Sequence, residues 1–397
     1  EQIALMHRVI VDEKGWLSED KFLNALSFCM LLPGPEAMQL ATYAGWRLKG
    51  VKGGLLAGLL FVLPGAAIVL ALSILYALLG DLPLVNAIFL GVKAAVVIIV
   101  IEALLKVAKR ALKRVDYYVV AAFAFFGIFF LTLPFPLIVA LAALYGGVTS
   151  QKPTRDQQKI IAGVPFMQTV KTIALWLAIW WLPIARLFLL APETILVPIG
   201  FFFSKLAVVT FGGAYAVLAY MSQDVVGAFQ WLKIGEMMDG LGLAETTPGP
   251  LILVTEFVGF LAAYRQGGLW LGLTGALLTL WVTFAPCFLW IFAGAPYVEW
   301  IATQPRLKGA LAAITAAVVG VILNLTLWFA LHVFFLRVET TKWGAFTFLL
   351  PDFATLDFRV VALSLLSGVM LLVYHRGIMT TLLVMALLGV GLHAGGL

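Results

Sequence analysis

The sequence alternates between long apolar runs and short polar or basic segments. The apolar runs that are long enough to act as membrane segments fall at residues 20–48, 51–79, 84–105, 116–132, 134–149, 173–191, 193–213, 237–264, 268–297, 307–336, 358–374 and 377–394. A simple helical span needs about 20 residues. The pattern therefore predicts an all-α polytopic membrane protein.

Two of the apolar runs are long and carry a proline near the middle. These are Pro64 in residues 51–79 and Pro286 in residues 268–297. Proline removes a backbone donor and kinks or breaks a helix. Each run can be one kinked helix or two helices joined by a break, and the sequence leaves both open.

The polar stretch at residues 150–171 divides the chain into two diverged copies of one unit. A shift of 215 residues places Pro33-Gly34-Pro35 on Pro248-Gly249-Pro250 and Trp16-Leu17 on Trp231-Leu232. A shift of 214 aligns Gly53-Gly54 with Gly267-Gly268, and a shift of 222 puts Pro64 on Pro286. We predict an N-terminal transmembrane repeat over 1–149, a linker and connecting helix over 150–192, and a C-terminal transmembrane repeat over 193–397.

The two copies are expected to cross the membrane in opposite directions. Basic residues follow the run at 84–105 but precede the run at 307–336, and basic loops mark the cytoplasmic side. Inverted repeats of this kind are characteristic of secondary transporters. The 215 shift aligns Glu1 with Ala216, so we expect the leading helix of the first repeat to be absent from this chain.

Composition agrees with a membrane protein. Of 397 residues, 63% are hydrophobic and 12% are charged, with a mean hydropathy of +1.05, whereas soluble proteins have about 25% charged residues. The 37 Gly and 17 Pro suggest broken helices, which lipid tolerates only where protein or a wet cavity covers the backbone. The net charge of +6 lies in short loops, so a nucleic-acid partner is not expected.

The sequence indicates no enzyme, metal or cofactor. Cys29 and Cys287 are isolated in apolar context, without the spacing of a metal site or a disulfide framework. The four histidines are scattered, and neither a Ser-His-Asp set nor an HExxH motif is present. The chain is therefore expected to bind and move a solute and not to transform one.

The most specific chemical feature is the pair of PGP motifs, Pro33-Gly34-Pro35 and Pro248-Gly249-Pro250. Proline ends one helix and suits the first turn of the next. A new helix start exposes unpaired N–H groups and the positive end of the helix dipole, which together bind anions. A surface turn is the alternative interpretation, but two copies at equivalent positions favour a substrate site built from broken or re-entrant helices.

Polar groups surround both motifs within otherwise apolar runs. We assign substrate binding to Glu36, Gln39, Thr246 and Thr247, and proton coupling or gating to Glu245 and Glu256 together with the motif Phe211-Gly212-Gly213. The glutamates can instead cap helix ends. Lys93 lies inside the run at 84–105, where an isolated charge is costly and usually functional. It is a candidate for positive charge in a central cavity, with a snorkelling lysine as the alternative.

Two blocks closely resemble the chromate ion transporter (CHR) family in its two-domain, long-chain form. The first is FLNALSFCMLLPGPEAMQLATYAGWRLKGVKGGLLAGLLFVLPG at 22–65, and the second half adds FGGAYAVLAY at 211–220 and GLAETTPGPLILVTEFVGF at 242–260. The resemblance implies export of chromate across the cytoplasmic (inner) membrane, with sulfate as the structural analogue. The residues themselves indicate only a small anion. An importer or exchanger of another oxyanion, or an anion channel, stays open, as does a homodimer.

Overall fold

The computed structural model describes residues 2–80, 82–150, 166–211, 213–301, 304–344 and 346–395, excluding the side chains of Ala216 and Glu299. Most of the predicted linker, and Gly212, lie outside these residues. The described chain is predominantly helical, as predicted. The first half contains α1 (Gln2–His7) with a π-helical turn (Arg8–Glu13), α2 (Glu19–Cys29), α3 (Glu36–Leu79), α4 (Pro83–Ala111), α5 (Val115–Phe129) and α6 (Phe135–Thr149).

Helix α7 (Phe166–Leu190) joins the halves. The second half contains α8 (Leu196–Val209), α9 (Ala214–Gln223) with a π-helical turn (Asp224–Ala228), α10 (Ile234–Thr246), α11 (Val254–Gly294), α12 (Val298–Ile301), α13 (Pro305–Phe334), strands β1 (Val338–Trp343) and β2 (Phe346–Pro351), α14 (Phe358–Gly368) and α15 (Ile378–Ala394). The order of helices from α1 to α6 recurs from α9 to α15, with α12 and the two strands as additions in the second half.

Among the described residues, five helical segments are long and apolar enough to cross a membrane: Glu36–Leu79, Pro83–Ala111, Phe166–Leu190, Leu251–Tyr297 and Pro305–Phe334. Shorter apolar helices accompany them, among them α5, α6 and α15. Large apolar side chains on the outer faces are exposed, including Leu60, Phe123, Leu189 and Leu387. An exposed apolar surface of this extent suits lipid.

Helices α3 and α11 each fold back at a glycine. The backbone leaves the helical region at Lys49 (φ −138°) and Gly50 (φ 61°), and in the same way at Gly267 (φ −151°) and Gly268 (φ 69°). Gly50 therefore corresponds to Gly268 at a shift of 218, so the alignment of Gly53-Gly54 with Gly267-Gly268 was wrong by four residues. The positive φ explains the glycine at these positions.

Beyond each turn, one long helix continues without a break. Pro64 and Pro286 lie inside helical segments whose only non-helical residues are those of the turns. The open question between a kinked helix and a hairpin at the two prolines is therefore answered in favour of a single helix. The arms before and after the turn pack closely, since a Cβ built on Gly45 would meet the carbonyl of Gly53.

The two halves pack crosswise. Helix α4 of the first half packs against α14 and α15, and α13 of the second half packs against α5 and α6. Gly389 lies on the backbone of Ala87, and Gly146 lies on the backbone of Gly309. Small residues let helix backbones approach this closely in a membrane. Gly146 is equivalent to Gly389 at a shift of 243, and Ala87 is equivalent to Gly309 at a shift of 222. The two interfaces therefore repeat each other.

A β-hairpin interrupts the helical fold between α13 and α14 and was not expected from the sequence. Strands β1 and β2 pair antiparallel from Val338↔Pro351 to Trp343↔Phe346. The hairpin is attached to α5, because the N–H of Thr347 donates to the carbonyl of Phe130 (2.7 Å). Aromatic residues such as Phe346 favour a pleated, half-buried surface over a helix.

Candidate functional site

Both PGP motifs separate two helices. Helix α2 ends at Cys29 and α3 begins at Glu36, with Pro35 at its N-cap in an extended conformation (φ −73°, ψ 106°). Helix α10 ends at Thr246, and a short 3₁₀ turn (Leu251–Leu253) leads into α11. The middle residues adopt φ values of 121° at Gly34 and 133° at Gly249, which L side chains rarely reach.

Each motif lies against the proline-containing helix of the other half. A Cβ built on Gly34 would lie 2.8 Å from Sγ of Cys287, the residue after Pro286. A Cβ built on Gly249 would lie 3.5 Å from Cα of Gly65, the residue after Pro64. Gly65 is near the middle of residues 51–79 and Cys287 is inside residues 269–294. Both motifs therefore meet the interior of a long apolar helix.

The arms of the second motif start and end at the same end of the molecule. Arg265, at the end of the first arm of α11, donates to a carboxylate oxygen of Glu236 in the first turn of α10 and to the carbonyl of Trp231. The outer ends of the two arms of the first motif also lie together, because Lys21 of α2 and Arg47 before the α3 turn line one cavity. The geometry is that of two hairpins with a PGP motif at each tip.

Thr210 and Tyr215 contact the first motif and the end of the helix that precedes the second motif. The N–H of Gly34 donates to the carbonyl of Thr210 (2.9 Å). The hydroxyl of Tyr215 donates to Oε1 of Glu245 (2.6 Å), three residues before Pro248. An extended chain covers at most about 3.6 Å per residue, so the five steps from Thr210 to Tyr215 span at most about 18 Å. Gly34 of the first motif and Glu245 before the second are therefore bonded to residues that lie close together in the chain.

Gln39 supports the first motif from within. Its side chain is fully buried, and Nε2 donates to the carbonyl of Pro33 (2.7 Å). Its Oε1 has no hydrogen-bond partner among the described residues. A buried polar atom without a partner is uncommon and calls for an explanation. Gln39 thus combines a structural bond to the motif with a free acceptor beside it.

Thr246 and Thr247 were expected to offer hydroxyl donors to a ligand. Both hydroxyls instead donate to the carbonyl of Leu243, at 2.8 and 2.6 Å. These bonds satisfy a carbonyl that the end of α10 leaves without a helical partner. In this structure the two threonines therefore finish a helix.

The three glutamates occupy different settings. Glu36 is the first residue of α3 and is partly buried, Glu245 accepts from Tyr215, and Glu256 is only 1% exposed, with Oε2 unpartnered among the described residues. None of them accepts a backbone N–H in the described contacts, so the capping role has no support there. A buried carboxylate without a partner is costly and usually functional in a membrane.

Lys93 does not lie at the PGP motifs. Its Nζ is 3.3 Å from Oδ1 of Asp239, and the hydroxyl of Tyr76 donates to Oδ2 of the same carboxylate (2.7 Å). Tyr76 is eleven residues beyond Gly65 along α3, or about 16 Å at 1.5 Å per residue. Sequence reasoning missed Asp239, although an acidic residue within the apolar run 237–264 was a visible signal.

The described residues contain no group of three or more His, Cys, Asp or Glu that could hold a metal ion. Cys29 and Cys287 are buried and free. The chemistry available at the two motifs is thus that of helix starts, a buried amide and buried carboxylates. This set can hold a small anion and exchange protons, and it offers no covalent step.

Comparison with known proteins identifies relatives of both halves. The family described as "Chromate transporter" matches residues 1–147 and 197–392. The chain is 33% identical over 330 residues to the "Chromate transport protein" of Pseudomonas aeruginosa, covering 81% of this chain and 74% of that protein. It is 30% identical over 325 residues to the "Chromate transport protein" of Cupriavidus metallidurans, covering 80% and 74%.

A shorter relative matches only part of the chain. An uncharacterized transporter of Bacillus subtilis is 29% identical over 152 residues, which are 37% of this chain but 84% of that protein. No solved structure is significantly similar to this chain.

Proposed function

The chain belongs to the chromate transporter family, and from this we propose that it exports chromate across the cytoplasmic membrane. It is a multi-pass membrane transporter and not an enzyme. The observation that carries the proposed mechanism is that Thr210 bonds to Gly34 of the first motif while Tyr215, five residues on, bonds to Glu245, three residues before the second motif. Chromate is a tetrahedral dianion, and helix starts bind such groups through backbone N–H groups.

In the proposed mechanism the anion binds between the two motifs. The N-cap residues Pro35 and Pro250 make no side-chain hydrogen bond to α3 or to the 3₁₀ turn, so neither cap occupies the N–H groups of these first turns. The helix dipoles add positive potential at the same points. Pro33 and Gly34 set the path of the backbone, and Pro248 and Gly249 do so in the second half.

Release to the other side follows from the proposed inverted arrangement of the halves. Two similar hairpins that face opposite sides of the membrane let one binding region open alternately to each side. The repeated interfaces of Gly146 and Gly389 and the half-length relative support a duplicated unit. An inside-negative potential favours anion exit by about 2.3 kcal/mol per charge per 100 mV, so voltage alone can drive a dianion outwards.

The experiment is chromate flux in inside-out membrane vesicles. Vesicles that contain the protein should accumulate radiolabelled chromate faster than control vesicles, and an inside-positive potential should increase the rate. Absence of chromate flux with confirmed expression would contradict the proposal. Excess sulfate should compete with chromate if the site recognises any tetrahedral dianion. Conductance far above carrier turnover would indicate a channel instead.

A further inference from the structure

Two cavities, one at the fold-back turn of α3 and one at its C-terminal end, are related by the internal repeat. One, here called the basic pocket, has a volume of about 160 Å³ and is lined by Lys21, Asn24, Tyr43, Trp46, Arg47 and Val298, among others. The other, here called the paired pocket, has a volume of about 390 Å³ and is lined by Glu236, Asp239, Leu261, Tyr264, Arg265 and Tyr76, among others. Lys21 and Asn24 correspond to Glu236 and Asp239 at a shift of 215. Tyr43, Trp46 and Arg47 correspond to Leu261, Tyr264 and Arg265 at a shift of 218. Val298 of the basic pocket corresponds to Tyr76 of the paired pocket at a shift of 222.

The two pockets differ in charge at equivalent positions. In the paired pocket, Arg265 pairs with Glu236 and Lys93 pairs with Asp239. In the basic pocket, Lys21 stands in place of Glu236 and Asn24 in place of Asp239. Lys21 and Arg47 therefore face one space with no ion-pair partner among the described residues. In the counterpart, Lys93 and Arg265 are each paired with a carboxylate, and only Lys233 of its lining cations has no ion-pair partner among the described residues.

The two pockets also differ in packing. Helix α10 packs against α3, α4, α11, α13 and α15, while the main packing partners of α2 are α3 and α12. Lys21, Asn24 and Arg47 are exposed, whereas Asp239 is 4% exposed. The basic pocket is thus open on the side where its counterpart is covered by α4. Its volume equals that of about five waters, at about 30 Å³ each, which is enough for a small hydrated anion.

We propose that the basic pocket is a second anion site, which captures a tetrahedral dianion before it reaches the first PGP motif. This inference rests on the proposed function, because it assumes that an oxyanion is the cargo. Two unpaired cations on one wall attract a dianion and raise its local concentration. Arg47 offers the planar fork of donors that suits tetrahedral oxyanions, and Lys21 adds a point charge.

The position of the pocket fits a capture site. Asn24 is nine residues before Pro33, and α2 leads from the pocket to the motif, about 14 Å away at 1.5 Å per residue. The basic segments after α4 and before α13 belong to the same end of the molecule as Arg47, since α3 and α4 run out and back from its turn. Basic loops mark the cytoplasmic side, so the pocket faces the compartment from which an exporter takes its cargo.

The test gives the basic pocket the carboxylates of its counterpart. In inside-out vesicles, where this pocket faces the medium, we expect Lys21→Glu with Asn24→Asp to raise the KM for chromate about tenfold, with Vmax nearly unchanged. Lys21→Gln with Arg47→Gln should act in the same direction. Lys52→Gln, an exposed cation near the same turn that does not line the pocket, is the matched control. In right-side-out vesicles the pocket faces the lumen, so the variants should leave the KM for chromate added to the medium unchanged.

A binding measurement separates this proposal from the proposed function. Equilibrium dialysis of sulfate or chromate against purified protein should show weaker binding in the Lys21 and Arg47 variants than in Lys52→Gln. A KM and an affinity that match the control would overturn the pocket while leaving chromate transport intact. Wild-type protein that binds these anions at the pocket but moves no chromate would overturn the transport function and not the site.

Discussion

The ammonium group of Lys93 lies 3.3 Å from the carboxylate of Asp239 and joins α4 of the first half to α10 of the second. Asp239 is buried, so its charge depends on this partner and on Tyr76. Removing one member of a buried pair costs about 3–5 kcal/mol, whereas replacing both is often neutral.

We therefore expect Lys93→Met to lower the thermal stability of the detergent-purified protein strongly. Adding Asp239→Asn should restore most of the loss, because no buried charge is then left without a partner. Both effects are measured by heating the purified protein and following the fraction that stays monodisperse. Simple addition of the two single losses in the double variant would show that the pair is not coupled.

The crossed packing of the halves predicts two matched pairs of variants. Gly146→Val and Gly389→Val place a side chain against the backbones of Gly309 and Ala87, and overpacking costs about 1–3 kcal/mol. Both should lower the unfolding temperature by similar amounts. Gly147→Val and Gly391→Val should not, because a Cβ there meets nothing within 4 Å. Equal stability within either pair would contradict the interface.

The first PGP motif is tested by Gly34→Ala. A Cβ at this residue would lie 2.7 Å from Nε2 of Gln39, and the φ of 121° is strained for alanine. We expect chromate flux to fall at least tenfold. Gly344→Ala is the control for backbone strain alone, since Gly344 has a φ of 63° at the tip of the β-hairpin and no neighbour within 4 Å. Its flux should stay near that of the wild type, and equal losses in both would remove the motif from the mechanism.

Glu256 tests proton coupling. If this buried carboxylate carries a proton during transport, an imposed pH gradient changes the chromate flux of the wild type and leaves that of Glu256→Gln unchanged. Glu245→Gln tests the carboxylate held by Tyr215 in the same way. The control is Glu13→Gln, at an exposed carboxylate far from the motifs in sequence. Wild-type rates with a wild-type pH response in both Gln variants would leave voltage as the driving force.

The helical runs were predictable because lipid demands about 20 apolar residues for each span. Pattern reasoning also found both PGP breaks, since Pro33 and Pro248 cannot continue a helix. It aligned Gly53-Gly54 with Gly267-Gly268, whereas the turns equate Gly50 with Gly268, because letter matches do not show which glycine has the positive φ. The β-hairpin was missed because it lies between the apolar runs at 307–336 and 358–374, where no element was assigned.

The site was only partly predictable. Lys93 was recognised as an unusual charge, but its partner Asp239 lies 146 residues away and no local spacing connects them. The hydroxyls of Thr246 and Thr247 looked available in the sequence, and only coordinates show that the carbonyl of Leu243 receives them. Sequence reasoning identifies polar groups in apolar surroundings, whereas their partners depend on how distant helices meet.

The crosswise contact of α4 with α14 and α15 also sets the order of assembly. Helix α4 is synthesised well before α14 and α15, which pack against it. Its contact face around Gly91, which lies on the backbone of Met385, must wait for this partner until α15 has been synthesised. Contacts between such distant parts of a chain form slowly and leave unfinished surfaces exposed to misassembly. Synthesis of α14 and α15, and not completion of the first half, is therefore needed before this face of α4 is covered.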